Sequence, residues 1–330
     1  MRIGICSIQR NRGAYIREWI LFHYQLGTRY FYIGIHKSND NSVEILKQLT
    51  PHINIKIFHV SDITCRAPQQ DFYQYTLDRF QHEVDWMAFI DGDEFLFPTK
   101  LDTLQDALQY FIDKKYSALG IYWKCFGSGG HLSEPDGSIL DNFQYRAPDD
   151  FLANRHIKSV VQTALAPGTI TSGSHLFETP LGTFDELGRT IKGGFTDLVP
   201  SYEFLRINHY VCQSREYFLN VKRPQGAGDR NVTSENHLRS EKWWEAHDRN
   251  DIECHAIDRF VPRLIELDRS FSLGLVSEAR AIDFRTPILR RLSLFMEIMP
   301  EFKGQNLFSL LRLQGLGMSR LIGLGVKRIV

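Results

Sequence analysis

The chain has 330 residues, and its 39 Lys and Arg residues balance 39 Asp and Glu residues. This balance gives no overall basic field to indicate a nucleic-acid partner and no acidic excess to indicate disorder. The length fits either one large α/β domain with an extension or two domains.

The five cysteines are scattered along the chain, and no two of them form a C-x-x-C pair. This pattern indicates neither a zinc ribbon nor a disulfide framework, and it favours a reducing compartment. The start of the sequence lacks the features of a signal peptide, and no apolar run reaches membrane-spanning length. We therefore expect a cytoplasmic protein whose membrane contact, if it has any, is peripheral.

The N-terminal part of the chain alternates between strand and helix patterns. The apolar run RIGICSI predicts a strand, and GAYIREWILFHYQLG predicts an amphipathic helix that closes on Gly27. The pattern continues as strand, helix, strand, helix and strand in YFYIGI, VEILKQL, INIKIFHV, QQDFYQYTLDRFQHEV and WMAFI. Repeated β-α units of this kind predict a mostly parallel central sheet flanked by helices.

Further strands are predicted in ALGIYWKCFGSGGH, HIKSVVQTALA and FLRINHYV, with long loops between them. From about Ser234 the pattern becomes mainly helical, in EKWWEAH, AIDRFVPRLIEL and PILRRLSLFMEIM. The prediction is an α/β domain over residues 1–233, followed by a helical C-terminal extension over residues 234–330.

Acidic residues interrupt the apolar stretch DWMAFIDGDEFLFP, at the end of the fourth predicted strand. Ligands of open α/β sheets bind beyond the carboxyl ends of the strands, so this is where a site is expected. Asp91 and Asp93 are two residues apart and can point to the same side, while Gly92 allows a close backbone approach. Mg²⁺ or Mn²⁺ shared with a phosphate would compensate two such carboxylates, and neutralising one should relieve their mutual repulsion. The alternative is that the acids cap a turn or pair with an Arg.

Other sites with recognisable spacing do not match the sequence. An EF-hand loop would need an oxygen ligand where this chain has Phe95. The P-loop, the strand-linked G-x-G-x-x-G, the H-E-x-x-H and the G-x-S-x-G motifs are all missing from the sequence.

Several stretches, taken in order from Arg2 to Glu253, resemble the metal-dependent glycosyltransferases of family 92 and their bacterial family-2-like relatives. These enzymes have the GT-A fold. The stretches are YIREWILFHYQLG, FYIGIHKSNDNS, DWMAFIDGDEFLFP, WKCFGSGGH, HIKSVV, INHYVCQSREYFLNVKR and HDRNDIE.

The resemblance implies a nucleotide-diphosphate sugar donor whose diphosphate binds Asp91 and Asp93 through Mn²⁺ or Mg²⁺. It also implies that His209 completes the metal site, although a histidine at a strand end is often a hydrogen-bonded core residue. Lys222 and Arg223 are candidates to meet the departing diphosphate, or they lie on a solvated helix face.

The chain departs from the family at two positions that carry acids in relatives, where it has Arg12 and Ile35. Such acids help to hold the base or the ribose, so the usual uridine diphosphate donor is left open. Enzymes of family 92 invert the anomeric centre, which requires a base for the acceptor hydroxyl. His175 and Asp229 are the candidate bases, with ordinary loop hydrogen bonding as the alternative for each.

The last residues of the chain, 305–330, contain basic side chains among Leu and Ile and no acid. This pattern predicts an amphipathic helix on an anionic membrane, or one packed on the domain or on a second subunit.

The leading hypothesis from the sequence is a glycosyltransferase of surface polysaccharide synthesis, with a glycan or lipid-linked acceptor. The alternatives are a sugar nucleotidyltransferase and a non-catalytic glycan-binding protein with the same fold.

Overall fold

The computed structural model describes residues 1–60, 67–167, 169–225 and 238–273. Its strands are β1 (Ile3–Gln9), β2 (Tyr30–Ile35), β3 (Asn54–His59), β4 (Trp86–Phe89), β5 (Glu94–Pro98), β6 (Ala118–Cys125), β7 (Tyr145–Arg146), β8 (Ile157–Gln162), β9 (Ile170–Ser172), β10 (Leu176–Glu178), β11 (Thr183–Phe184), β12 (Thr190–Ile191), β13 (Leu205–His209) and β14 (Ile252–Glu253). Its helices are α1 (Ile16–Gln25), α2 (Ser42–Leu49), α3 (Pro68–Phe80), α4 (Leu104–Gln109), α5 (Ile139–Asn142), α6 (Arg215–Tyr217), α7 (Arg223–Gln225), α8 (Glu241–His247) and α9 (Val261–Ser272).

The central sheet has the order β12-β11-β6-β8-β4-β1-β2-β3. Strands β4, β1, β2 and β3 are parallel neighbours, as expected for strands joined by crossover helices. Strand β8 lies antiparallel between β4 and β6, and β13 pairs parallel with β6 and antiparallel with β5. The predicted α/β fold, with a mostly parallel central sheet flanked by helices, is confirmed.

Helix α1 links the core to the acidic stretch. Its apolar stripe is buried, and Trp19 donates an indole hydrogen bond of 2.7 Å to the carbonyl of Glu94, at the start of β5. After the helix, Gly27 has a φ of 105°, a conformation that favours glycine, as the predicted helix end requires. The beginning of β5 is therefore fixed by a core tryptophan.

The turn between β4 and β5 carries Asp91, Gly92 and Asp93 at the carboxyl end of β4. A Cβ atom on Gly92 would lie 2.8 Å from Cδ of Gln9, closer than real Cβ contacts. A larger residue at this position would therefore displace the side chain of Gln9 at the end of β1.

All described residues lie in one compact unit, Met1–Ala279, which includes α8 and α9. Helix α9 contacts α1, with Arg17 Nε 2.5 Å from an oxygen of Asp268. The domain boundary at residues 233 and 234 stays a prediction, and the basic segment 305–330 lies outside the described residues. Within the described residues, no helix combines the length and apolar character needed to cross a bilayer.

His23 lies on the buried face of α1 and should make the fold sensitive to acid. Its Nδ1 lies 2.8 Å from the carbonyl of Trp19, and its Nε2 accepts the N–H of Leu96 at 3.1 Å. Burial lowers the pKa of His23 to about 3, whereas an unfolded histidine has a pKa of about 6.5. Folding therefore favours the neutral ring. The contribution of His23 to stability is fully present above the pKa of the unfolded state, and it is lost as the pH falls from there towards the pKa of the folded state.

We expect His23 to account for about 2 kcal/mol of the stability lost between pH 7 and pH 5. Urea unfolding at the two pH values should show that His23→Gln reduces this loss, since an amide does not titrate. His59, which is exposed at the end of β3, supplies the control, and His59→Gln should leave the loss in place. An equal loss in His23→Gln and in the unmodified chain would contradict the prediction.

Candidate functional site

Asp91 is held by side chains from two other elements. Its Oδ2 accepts a hydrogen bond of 2.9 Å from Nζ of Lys158, which lies within β8 and is fully buried. Its Oδ1 accepts hydrogen bonds from Gln69 and from Tyr73, both on α3. Burial acts to raise the pKa of Asp91, but the charge and hydrogen bond of Lys158, together with smaller contributions, lower it, and the net pKa is lowered.

Glu94 is fully buried and lies near the same lysine. Its Oε1 is 3.8 Å from Nζ of Lys158, and its Oε2 accepts the backbone N–H of Asp91 at 2.8 Å. Oε1 is buried without a hydrogen-bond partner. Burial raises the pKa of Glu94 well above its usual range, which favours the protonated form. One lysine therefore lies beside both acids, one at each end of the turn.

Asp93 has a different set of partners. Its Oδ2 contacts Nζ of Lys222, and its Oδ1 lies 3.7 Å from Nε2 of His209 at the end of β13. Although burial acts to raise the pKa of Asp93, Lys222 and His209 lower it well below its usual range. Burial lowers the pKa of His209 to about 4, so this imidazole is neutral at pH 7.

Arg12 lies beneath the turn and binds it from inside the protein. One guanidinium nitrogen donates to the carbonyl of Gly92 at 2.7 Å, and the other donates to Tyr217 at 2.6 Å and to Gln213 at 3.2 Å. Arg12 is buried, so its charge is directed into the protein. Ile35 is also buried and is the last residue of β2. Arg12, at one of the two positions where the resemblance led us to expect an acid, therefore supports the turn, and Ile35, at the other, belongs to the core.

A tryptophan ring and three histidine rings pack together beside Asp93. The ring centroid of Trp123 lies 4.9 Å from that of His156, 5.1 Å from that of His175 and 4.1 Å from that of His209. Nδ1 of His175 lies 2.9 Å from the carbonyl of Ile157. Burial, assisted by a neighbouring lysine, lowers the pKa of His175 to about 3.

The structure brings together most of the residues predicted from sequence. Asp93, His209 and Lys222 form one connected set, and His175 joins it through the Trp123 group. Asp91 lies two residues away along the turn, with Lys158 as its own partner. Arg223 is separate from this set, because it pairs with Glu241 at 3.0 Å and is 40% exposed. Asp229 lies outside the described residues.

Sequence reasoning missed the partners of Asp91. No role was predicted for Lys158, Gln69 or Tyr73, although HIKSVV was noted as a motif. A lone lysine in an otherwise apolar strand was the available signal, because a buried ammonium requires an anion nearby.

The residues fit a divalent cation only in part. No group of three or more His, Cys, Asp and Glu side chains in the described ranges is arranged to hold a metal. The 3.7 Å between Asp93 Oδ1 and His209 Nε2 is too long for a hydrogen bond but suits two ligands of one cation. Mg²⁺ is typically held by one or two carboxylates and by substrate phosphates, so a protein pair is sufficient if a phosphate completes the site.

A sequence model described as Glycosyltransferase family 92 matches residues 5–168, just under half of the chain. The predicted resemblance to glycosyltransferase family 92 is confirmed. The region that matches family 92 contains Asp91, Asp93 and Lys158 and ends before His209 and Lys222.

Curated relatives carry the same family name. A glycosyltransferase family 92 protein of Ricinus communis is 28% identical over 220 residues, which are 65% of this chain and 36% of the relative. One of Oryza sativa subsp. japonica is 26% identical over 218 residues, which are 65% of this chain and 34% of the relative. The chain thus spans about a third of the length of these relatives.

Among solved structures, residues 1–349 of S. aureus TarS align with 97% of this chain and 85% of that chain. The sequence identity is 16% and the TM-score is 0.37, a likeness too weak to carry an argument.

Proposed function

We propose that this chain is a glycosyltransferase that moves a sugar from a nucleotide-diphosphate donor to a glycan or lipid-linked acceptor in surface polysaccharide synthesis. The observation that carries the proposal is the match to family 92 across the turn that holds Asp91, Gly92 and Asp93. That turn lies at the carboxyl end of β4, where ligands of open α/β sheets bind.

In this proposal the donor diphosphate lies against Asp93, His209 and Lys222. Asp93 and His209 would hold Mn²⁺ or Mg²⁺, and the bound cation would offset the charge of the leaving diphosphate. Lys222 brings a second positive charge to the same place, and Arg223 is a weaker candidate because Glu241 already binds it. Asp91, whose carboxylate is held by three donors, would face the same ligand.

Inversion at the sugar carbon requires a base on the acceptor side. With Nδ1 of His175 donating to the carbonyl of Ile157, its Nε2 carries the free lone pair. Its low pKa makes it a weak base, although it is neutral at pH 7 and can accept a proton. Asp229, the other proposed base, lies outside the described residues.

We also propose a cytoplasmic location, contact of residues 305–330 with a membrane, and a homodimer.

The donor-binding proposal can be tested by thermal unfolding with a panel of nucleotide-diphosphate sugars in Mn²⁺. A donor at about 100 times its dissociation constant should add about 2.7 kcal/mol of stability and raise the unfolding temperature by several degrees. The rise should disappear in excess chelator, and the matching nucleosides without phosphate should give none.

Turnover of the donor that stabilises the chain should then be measured with candidate glycan acceptors. Stabilisation without transfer to any acceptor would favour the glycan-binding alternative, and pyrophosphorolysis of the donor would favour the nucleotidyltransferase. If no nucleotide sugar stabilises the chain, the donor-binding proposal is wrong.

A further inference from the structure

A cluster of cations lies on the face of β6 and β13 that is opposite to the proposed donor site. Lys124 follows Trp123 along β6, and Arg206 precedes Ile207 along β13, which pairs with Trp123. Since side chains alternate across a strand, Lys124 and Arg206 project away from Trp123 and His209. Arg146 joins them from β7, which is bridged to the end of β6. We call Lys124, Arg146 and Arg206 the cation cluster.

The cation cluster has more positive charge than its neighbours compensate. Its three cations are largely buried, since Lys124 and Arg146 have side chains that are 6% and 13% exposed and Arg206 is 7% exposed. Asp149 contacts both Lys124 and Arg146, and its exposed carboxylate is shared between them. In the described part of the chain, no carboxylate lies within ion-pair distance of Arg206.

The partners of Arg206 are unusually weak for a buried guanidinium. One of its terminal nitrogens donates to Sγ of Cys254 at 3.1 Å, and its charge lies over the rings of Phe97 and Phe126. The Nε atoms of Arg206 and Arg146 are both buried without a hydrogen-bond partner. A buried charge and buried donors without acceptors are costly, and an oxyanion would satisfy both.

The acids that flank Cys254 in sequence are engaged elsewhere. Asp251 forms an ion pair with Arg249 at 2.7 Å, and Glu253 lies 3.3 Å from a ring nitrogen of His255. Neither therefore supplies the charge that the cation cluster lacks. Mutual repulsion within the cluster is evident at Lys124, whose pKa is lowered first by burial and then by the neighbouring arginines, although Asp149 acts to raise it.

We propose that the cation cluster is a binding site for a phosphate group, distinct from the donor site. Arginine forks and lysine ammonium groups are the side chains that proteins use for phosphate oxygens. Asp149, which is 73% exposed at the solvent edge of the cluster, occupies the position of one oxyanion and is displaced by the ligand. The bound phosphate then accepts from Lys124, Arg146 and Arg206 together. This proposal does not depend on the glycosyltransferase activity.

The test uses inorganic phosphate with the full chain in a chelator, so that a metal-dependent donor site does not contribute. Isothermal titration, with chloride at matched ionic strength as the reference, should give a phosphate dissociation constant. Asp149→Asn removes the competing carboxylate and keeps the volume, so it should bind phosphate several-fold more tightly. Arg206→Met should lose the binding. Arg249→Met, which alters an exposed arginine, should behave like the unmodified chain.

A second readout locates the ligand. Phosphate should slow alkylation of Cys254, followed by mass spectrometry, because it occupies space beside the thiol and draws Arg206 away from it. Parallel titrations with glycerol 3-phosphate distinguish an esterified phosphate from the free ion. Tighter binding of the ester identifies a phosphorylated ligand, and equal or weaker binding identifies free phosphate.

Either of two results overturns the proposal. The first is that Asp149→Asn binds phosphate no more tightly than the unmodified chain, which decides the matter even if Arg206→Met does not fold. The second is that phosphate leaves the alkylation rate of Cys254 unchanged, which would mean an adventitious ion only.

Discussion

Asp93→Asn should reduce donor turnover in Mn²⁺ by about 100-fold or more. The amide keeps the volume of the carboxylate but loses the charge that binds Lys222 and that would hold a cation together with His209. Steady-state rates with the donor found by thermal unfolding measure this effect. His209→Ala should have the same direction and a smaller size, because a neutral imidazole contributes no charge. The control is Asp113→Asn, an exposed aspartate, which should keep full activity.

Measuring the stability of the variants distinguishes a role of Asp93 in turnover from a simple loss of structure. The sequence alone led us to expect that neutralising Asp93 would relieve repulsion and preserve or raise stability. The structure indicates the opposite, because the lowered pKa of Asp93 shows net stabilisation of its charged form, and Asp93→Asn leaves the buried Lys222 without its anion. Asp93→Asn combined with Lys222→Met should recover stability without recovering turnover. Activity near that of the unmodified chain in Asp93→Asn would refute the proposed role.

Lys158→Met should lower the free energy of unfolding by about 3–5 kcal/mol. The lysine is fully buried, lies 2.9 Å from Asp91 and 3.8 Å from Glu94, and is the main positive charge for both. A methionine of similar length preserves packing, so the loss mainly measures the uncompensated carboxylate of Asp91. Urea unfolding at pH 7 gives the free energy directly.

A double-mutant cycle identifies the source of the effect. Asp91→Asn added to Lys158→Met should recover part of the lost stability, because no ionised carboxylate then remains without a cation at that position. The control is Lys100→Met, which breaks an exposed pair with Glu203 and should cost less than about 1 kcal/mol. If Lys158→Met and Lys100→Met cost the same, Lys158 is not the cation that compensates this turn.

Much of the fold could be predicted from local sequence patterns. The alternation of apolar runs with amphipathic stretches predicted β1 to β4 and α1 to α3 in the correct order, and the position of Asp91 and Asp93 after β4 followed from it. These features depend on residues that are close in the chain, since periodicity reports which face of a helix or strand is buried. Gly27 was predicted as a helix end for the same reason, because backbone conformation is a local property.

The partners of the acids were decided only by the tertiary structure. Lys158 is 67 residues from Asp91, and Lys222 is 129 residues from Asp93. Lys158 meets Asp91 because β8 inserts antiparallel beside β4. Strand β13 pairs with β5, brings His209 opposite Glu94, and is followed by the helical segment Phe218–Lys222 that carries Lys222 to Asp93. Periodicity shows that a strand is buried but does not state which strand lies beside it, and a charge is compensated by whatever the neighbouring strand carries. The sequence by itself therefore determined where the acids lie. The neighbour of β4 in the sheet and the helical segment after β13 determined which lysine balances each one.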